Sequence, residues 1–233
     1  MRDITVLQLG SKSLVGKDTF FNTAKEYGFI RVAFADKLKN TVMDLYNFSH
    51  EQMYGNLKDI EDTRYPNTVD EKSILKPEWA DSIDDVNLAL DNGVTYKSML
   101  MPNQDYKPFF TPRRILQIFG QQQRLLFPDI WAAYIFSTEI PRLVEEGHTK
   151  FIVTDFRFKN EAQVAMRWKN TSINNKLYLI KINRDIFAKS GSNDISEHDL
   201  DDFTGWNFEL NNNSTLENYN LLVKDFILTN FNK

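Results

Sequence analysis

Cysteine is absent from this chain of 233 residues, and histidine is scarce. The lack of cysteine excludes disulfide bonds, thiol catalysis and cysteine zinc sites. The three histidines, His50, His148 and His198, have no spacing typical of a metal site. The chemistry of the chain must therefore reside on other side chains.

The sequence also lacks an apolar run of 18 residues, an N-terminal signal segment and an excess of positive charge. A membrane helix needs such a run, and nucleic-acid polymers or anionic membranes attract basic surfaces. With a net charge of −4, we expect a protein that binds neither nucleic-acid polymers nor membranes. We expect it in the cytoplasm, the host cell cytoplasm if it is viral. A hydrophobic fraction of 42% is ordinary for one globular domain.

Glycine is scarce as well, yet two of the nine glycines, Gly10 and Gly16, bound the stretch GSKSLVGKDT. The apolar run ITVLQL precedes this stretch, and a helix is predicted after it. We interpret it as a phosphate loop of the pattern G-x-x-x-x-G-K, which binds nucleoside triphosphates in this strand, loop and helix context. The alternative is a glycine turn followed by a solvated Lys17.

The physical basis of this interpretation is the backbone. Glycine permits angles closed to other residues, so that successive N–H groups point at phosphate oxygens. Lys17 is expected to reach the β and γ phosphates, and the positive end of the following helix adds to the attraction. The predicted ATP-binding residues are Gly10, Ser13, Val15, Gly16, Lys17, Asp18 and Thr19.

Magnesium is the expected cofactor, with ATP as the phosphoryl donor. Asp18 stands where most phosphate loops have the serine or threonine that ligates magnesium, and a hydroxyl follows only at Thr19. We predict that Asp18, Thr19 and Asp155 hold Mg²⁺, in part through water. Which of Asp18 and Thr19 contacts the metal is left open.

Predicted strands and helices alternate along the chain, which favours a three-layer α/β fold. We expect a phosphate-loop kinase with a five-stranded parallel sheet and helices on both faces. The chain is predicted to be a single domain, 1–233, with a partly irregular acceptor-side insertion at about 56–111. Strands are predicted at 4–9, 30–34, 151–154, 177–182 and 207–210, and helices at 19–27, 36–46, 113–123, 130–146, 160–169 and 216–231.

A carboxylate follows the third predicted strand, in the segment FIVTDFRFKNE. Asp155 is expected at the carboxyl edge of the sheet, where ligands bind, and there it would orient magnesium or accept an acceptor's hydroxyl proton. The alternative for Asp155 is a cap of the next turn. Arg157 is predicted to contact phosphate, with a surface ion pair as the alternative.

A basic helix start occurs in TPRRILQIFGQQQR. Arg113 and Arg114 follow Pro112 at a helix N-terminus, where like charge is disfavoured unless an anion is present. Arginine binds phosphate in bidentate fashion, so we predict that these two and Arg124 grip an acceptor monophosphate. A solvated face, or salt bridges to the acidic insertion, is the alternative.

The fourth predicted strand ends at Arg184, and a polar loop with Lys189, Ser190, Gly191 and Ser192 follows. We interpret 184–202 as a lid that closes over the transferred phosphoryl group. An ordinary surface loop is the alternative.

In this order the segments resemble the deoxynucleoside monophosphate kinases of tailed bacteriophages. The resemblance rests on the loop ending GKDT, FADKLK at 34–39, RRILQIFG at 113–120, TDFRFKNE at 154–161, the NR strand end at 183–184 and the late N-x-x-T-L-E turn. It covers nearly the whole chain. It implies the nucleoside monophosphate kinase fold and transfer of the ATP γ-phosphoryl group to a deoxynucleoside monophosphate for viral DNA synthesis.

The resemblance also implies residue roles. Lys17 would serve ATP, and Asp36, Lys39, Arg113 and Arg114 would lie along the acceptor site. The predicted catalytic residues are Lys17, Asp155, Arg157 and Arg184. Alternatives are another small-molecule kinase of the same fold, such as a dephospho-coenzyme A kinase, or a non-kinase phosphate-loop ATPase or nucleotide switch. The accepted bases, the sugar preference and the oligomeric state, a homodimer included, are left open.

Overall fold

The computed structural model describes residues 2–10, 12, 14–66, 109–185 and 198–231. The chain divides into two compact units. The first comprises Met1–Lys37 and Asp129–Lys233, and the second comprises Leu38–Pro128. The predicted insertion falls inside the second unit, and its part from 67 to 108 lies outside the described residues.

One sheet of five parallel strands forms the centre of the first unit, in the order β2-β3-β1-β4-β5. The central position of β1 puts the end of that strand, where the predicted phosphate loop begins, in the middle of the carboxyl edge. The strands are β1 (Ile4–Gly10), β2 (Ile30–Val32), β3 (Lys150–Phe156), β4 (Asn175–Asn183) and β5 (Phe208–Asn211).

Two helices cover one face of this sheet. Helix α1 (Lys17–Ala24) contacts the C-terminal helix, Leu216–Phe231. Their apolar side chains form one buried cluster with residues of β1 and β3 to β5. A 3-10 turn, Lys25–Tyr27, extends α1 to Gly28, whose φ of 83° ends the helix.

Alternate residues of the strands face the other side of the sheet. A second group of helices, described next, precedes and follows β3 in the sequence. A helix predicted over 130–146 is instead interrupted by a π-helical turn at Ile135–Glu139. The interruption has a local cause, because Pro141 has no N–H to bond the carbonyl of Ser137 four residues earlier. The flanking helices are α5 (Ile130–Tyr134) and α6 (Ile140–Glu145), and α7 (Lys159–Lys169) follows β3 and contacts β4. The predicted three-layer arrangement with a five-stranded parallel sheet is confirmed.

The second strand is shorter than predicted, because helix α2 (Phe34–Tyr46) begins where strand was expected to continue. The second unit also holds α3 (His50–Tyr54) and α4 (Pro112–Leu126). The C-terminal helix of the first unit is α8 (Leu216–Phe231).

The second unit contains a buried carboxylate, Asp62. Asp62 accepts hydrogen bonds from the Arg64 guanidinium at 2.6 and 2.9 Å and from the Gln52 amide at 2.8 Å. The Arg64 guanidinium holds the pKa of Asp62 well below its ordinary value, although burial works in the opposite direction. None of the helices in the described part of the chain is long and apolar enough to cross a membrane.

Candidate nucleotide-binding site

The loop between β1 and α1 has an uncommon backbone. Gly16 caps α1 with φ of 107°, and Leu14, two residues earlier, has φ of 61°. A non-glycine residue in this left-handed region is strained, and Leu14 is 75% exposed, so burial of its side chain does not compensate. Left-handed residues interspersed in a loop turn N–H groups toward one side, as anion-binding nests require. This backbone is compatible with the predicted phosphate loop.

The loop is longer than the predicted pattern. Five residues, not four, separate Gly10 from Gly16. Alignment on Gly16 and Lys17 puts Ser11 at the first glycine position, so the match that counted from Gly10 is wrong in length. Gly10 has a packing reason instead, since a β-carbon there would lie 2.3 Å from Cη2 of Trp206 and 2.7 Å from Cδ1 of Phe156.

Lys17 is the first residue of α1, and only 9% of it is exposed. Its Nζ donates a hydrogen bond to the carbonyl of Lys12 at 2.5 Å, which holds the ammonium against the loop. The first N–H groups of α1 are directed to the same end of the helix. A cation beside the positive end of a helix is disfavoured by the dipole, so an anion bound there would stabilise both.

The residues predicted to hold magnesium supply oxygen donors of the type that this ion prefers. Asp18 is exposed and Thr19 is half-buried, both in the first turn of α1. Among the described residues, no group of three or more His, Asp or Glu side chains is placed to hold a metal.

Two parts of the predicted site lie outside the described residues. They are Ser13 in the loop, and the lid residues Lys189, Ser190, Gly191 and Ser192. Their predicted roles are not tested by the structure.

Asp155 lies at the carboxyl edge of the sheet, one residue before the end of β3. Its two carboxylate oxygens accept hydrogen bonds from the N–H groups of Phe34 at 2.9 Å and Ala35 at 2.8 Å. Burial raises the pKa of Asp155 above its ordinary value, and these two bonds offset part of the rise. The alternative predicted that Asp155 caps the turn that follows it in the sequence. Its carboxylate instead caps the start of α2.

Asp36, predicted on the acceptor side, lies in the first turn of α2. One of its oxygens, Oδ2, accepts a hydrogen bond from the Arg31 guanidinium at 2.6 Å. The other, Oδ1, is buried and accepts no hydrogen bond from the residues that the structure describes. The negative charge of Asp36 adds to the effect of burial and also raises the pKa of Asp155. Arg31, Asp36 and Asp155 therefore interact electrostatically at this edge of the sheet.

Two predicted arginines follow β3 and β4. Arg157 is half-buried, and its backbone N–H donates to the carboxylate of Glu161 at 2.8 Å. Glu161 also accepts the N–H of Phe158 at 3.0 Å, so it caps α7 from the first turn. Arg184 comes directly after β4 and is half-buried, and its positive charge acts on the buried hydroxyl of Tyr219 in α8.

The described end of the lid-like segment is attached to the loop and to α7. Lys12 forms an ion pair with Asp201 at 3.7 Å. The backbone N–H of Lys159 donates to Asp199 at 2.7 Å, and its ammonium pairs with Asp202 at 2.6 Å. Three contacts therefore link residues 199–202 to the loop and to α7.

The remaining predicted residues belong to the second unit. Arg113 is half-buried and makes a two-pronged ion pair with Asp59, as the salt-bridge alternative predicted. Lys39 lies over the ring of Tyr54, 4.4 Å from its centroid. Arg124 lies half-buried in the last turn of α4.

Arg114 differs from Arg113. Its backbone N–H is capped by the Thr111 hydroxyl at 3.1 Å, and its side chain is half-buried. Burial lowers the pKa of Arg114, and no carboxylate of the described residues forms an ion pair with it. A half-buried guanidinium in that state is electrostatically unfavourable, and a bound anion would relieve it.

Sequence reasoning missed two residues that contact the loop, Asn212 and Trp206. Asn212 is buried and donates its side-chain amide to the carbonyl of Val15 at 2.8 Å. The only signal for it was the N-x-x-T-L-E turn, of which Asn212 is the first residue. Trp206, whose ring lies against Gly10, gave no signal at all, because an aromatic residue before a strand is usually part of the core.

Comparisons with known proteins give distant similarities, and no family model matches the chain. The chain is 26% identical over 214 residues to a protein of Acanthamoeba polyphaga mimivirus provisionally named deoxynucleotide monophosphate kinase, with 88% of each covered. Among solved structures it is similar to a dephospho-CoA kinase from Campylobacter jejuni, at 13% identity and a TM-score of 0.43, over 97% of this chain and 96% of that one. The chain is thus a distant relative of a viral protein named as a nucleotide kinase.

Proposed function

We propose that this protein transfers the γ-phosphoryl group of ATP to a deoxynucleoside monophosphate. The observation that carries the proposal is the loop from β1 to α1, with its left-handed Leu14 and Gly16 and the inward-held Lys17. The name of the mimivirus relative supports the choice of acceptor. The reaction would supply precursors for DNA synthesis, in the host cytoplasm if the protein is viral.

The donor end of the proposed site is in the first unit. Loop N–H groups and the start of α1 would receive the β and γ phosphates, and Lys17 would exchange its bond to the Lys12 carbonyl for phosphate oxygens. The same lysine would then balance the charge that spreads over the transferring oxygens. When bound, magnesium would neutralise the triphosphate, with Asp18, Thr19 and Asp155 as the residues that hold it.

The acceptor end of the proposal rests on Arg114 in the second unit. Its half-buried guanidinium has no ion-pair partner among the described carboxylates, whereas that of Arg113 is paired with Asp59. We propose Arg114 as the principal grip on the acceptor phosphate and Arg113, Arg124, Lys39 and Asp36 as further acceptor-side residues. Guanidinium binds phosphate through two parallel hydrogen bonds, which also orients it.

The chemistry asks for no strong general base, because the acceptor is already a phosphate anion. In-line transfer instead needs the acceptor oxygen held against the γ-phosphorus and the charge balanced by cations. Both oxygens of Asp155 already accept backbone N–H bonds. We therefore propose that Asp155 orients magnesium-bound water and does not abstract a proton. Arg157 and Arg184 are the proposed further cations on the phosphoryl path.

The test is turnover with ATP and magnesium against the full set of ribo- and deoxyribonucleoside monophosphates. Dephospho-coenzyme A, DNA and a sample without acceptor are the comparison substrates. We expect diphosphate product from one or more deoxynucleoside monophosphates and little ATP loss without an acceptor. Phosphorylation of dephospho-coenzyme A alone, or ATP hydrolysis that needs only DNA, would overturn the proposal in favour of the corresponding alternative.

A further inference from the structure

We propose that Asn212 is a positioning residue for the phosphate loop, and that its amide sets the affinity of the loop for a nucleoside triphosphate. This inference rests on the proposed function, because it presupposes that the loop binds ATP. Asn212 follows β5 and begins the turn that leads to α8. It is 5% exposed, so its polar groups are held by the protein and not by solvent.

The side chain of Asn212 contacts the loop directly. Its Nδ2 donates a hydrogen bond to the carbonyl of Val15 at 2.8 Å, across 197 residues of sequence. Val15 lies between Leu14 and Gly16, which both have left-handed backbones. The bond therefore fixes the Val15–Gly16 peptide, where a rotation would turn the neighbouring N–H groups away from a bound phosphate.

Gly16 is shaped to receive this amide. A β-carbon at Gly16 would lie 2.4 Å from Nδ2 of Asn212 and 3.1 Å from Cε1 of Tyr219. Glycine is thus required at this position for two reasons. Its φ is 107°, and Asn212 occupies the space that a side chain would need. The loop and Asn212 are therefore packed directly against each other.

The backbone of Asn212 makes a second connection. Its N–H donates to the carbonyl of Asn183, the last residue of β4, at 2.7 Å. Arg184, the proposed cation on the phosphoryl path, is the next residue along the chain. One residue therefore bonds both to the loop that would bind the phosphates and to the strand end that carries Arg184.

The expected effect is on binding more than on folding. Without the amide, the Val15 carbonyl loses its buried partner, and the loop can relax to a less strained backbone. We expect Asn212→Ala to raise the Kd for ATP about tenfold, the fold-change that corresponds to one buried hydrogen bond. Asn212→Ser, which keeps a small hydrogen-bonding side chain, is a milder second variant for the case that the alanine variant folds poorly.

The chain offers a matched control in Asn175, the first residue of β4. It is also buried, at 8% exposed, and its Nδ2 also donates to a backbone carbonyl, that of Trp168, at 3.0 Å. It lies at the opposite, amino end of the sheet. Asn175→Ala should therefore match the loss in stability while leaving the loop unchanged.

The experiment measures calorimetric binding of a non-hydrolysable ATP analogue to the full chain and to each variant, alongside thermal unfolding and hydrogen exchange at Gly16 and Lys17. The inference is supported if Asn212→Ala binds about tenfold more weakly, Asn212→Ser binds more weakly by a smaller factor, and both exchange faster at the loop, while Asn175→Ala binds like the wild type. It is overturned if Asn212 and Asn175 variants of equal stability bind the analogue equally. If the wild type itself binds no analogue, the proposed function fails instead, so the two failures are distinguishable.

Discussion

Lys17 is the single side chain on which the donor half of the proposed reaction depends. We expect Lys17→Met to lower kcat at least ~100-fold, about 3 kcal/mol in the barrier, because the lost charge acts on the transferring phosphoryl group. The measurement is steady-state turnover together with circular dichroism. Lys25→Met, which removes a lysine just beyond the other end of α1, is the control and should be nearly normal. A folded Lys17→Met protein with normal turnover would contradict a catalytic phosphate loop.

The two adjacent arginines of α4 should respond differently to substitution. We expect Arg114→Ala to raise KM for the acceptor roughly 10- to 100-fold, equally for every accepted base, since a charge-assisted contact to phosphate contributes about 1.5 to 3 kcal/mol. The KM for ATP should change much less. Arg114→Lys should recover little of the lost acceptor affinity, because an ammonium cannot form the two parallel hydrogen bonds of a guanidinium. Arg113→Ala removes a guanidinium that is already paired with the exposed Asp59, so its effect should be smaller.

Equal effects of the Arg114 variant on ATP and acceptor, or no effect on either, would remove the acceptor phosphate from this part of α4. Arg124, Arg157 and Lys39 would then be the next residues to substitute. The kinetic comparison needs several acceptors, because a contact to phosphate carries no information about the base.

At the scale of one element, the start of α2 depends on a carboxylate from β3. Asp155→Asn leaves one oxygen for two N–H donors, those of Phe34 and Ala35. We expect a loss of about 1 to 2 kcal/mol in the free energy of unfolding. If Asp155 also orients magnesium, the rate should fall and the magnesium concentration for half-maximal rate should rise.

Glu161→Gln is the matched control for that element. Glu161 is also buried and also accepts two backbone N–H bonds at the start of α7, both at its oxygen Oε2. The amide oxygen of glutamine can still accept both, so this variant should lower stability by less than Asp155→Asn and leave the magnesium titration unchanged. If Asp155→Asn behaves in the same way, Asp155 is a helix cap and nothing more.

At the scale of the whole molecule, the ion pair between the buried Asp62 and the more exposed Arg64 predicts how stability depends on pH. The pKa of Asp62 is lowered in the folded protein, so its ion pair with Arg64 stabilises the fold fully above the ordinary pKa of 3.8. That stabilisation is lost as the pH falls through the lowered folded value. We expect Asp62→Asn to be destabilised relative to the wild type at pH 7 and the difference to shrink on acidification below about pH 4.

Urea unfolding at a series of pH values measures this difference. Asp44→Asn, a change at an exposed carboxylate of α2, is the control and should leave the pH profile nearly unchanged. A gap between wild type and Asp62→Asn that stays constant down to the lowest pH would mean that the charge of Asp62 is not what stabilises the second unit.

The sequence was sufficient for much of the fold, because the strands of a parallel sheet are buried on both faces and stand out as apolar runs. It did not predict the end of β2, because the bond that starts α2 at Phe34 comes from Asp155, far along the chain. It located Lys17 and the loop by motif, but miscounted the loop from Gly10. It could not find Asn212, since a buried amide is recognised only by the carbonyl that it meets.

The position of β1 has a consequence for the synthesis of the chain. This strand pairs with β3 and β4 alone, so that Thr5 lies opposite Lys150 and Ile4 opposite Asn175. A ribosome makes β1 long before either neighbour exists, and pairing of such distant segments is slow to form. The loop that would hold ATP can therefore take its shape only after β3, β4 and the Asn212 turn have emerged. A nascent chain that stops before β3 would carry the motif without any capacity to bind the nucleotide.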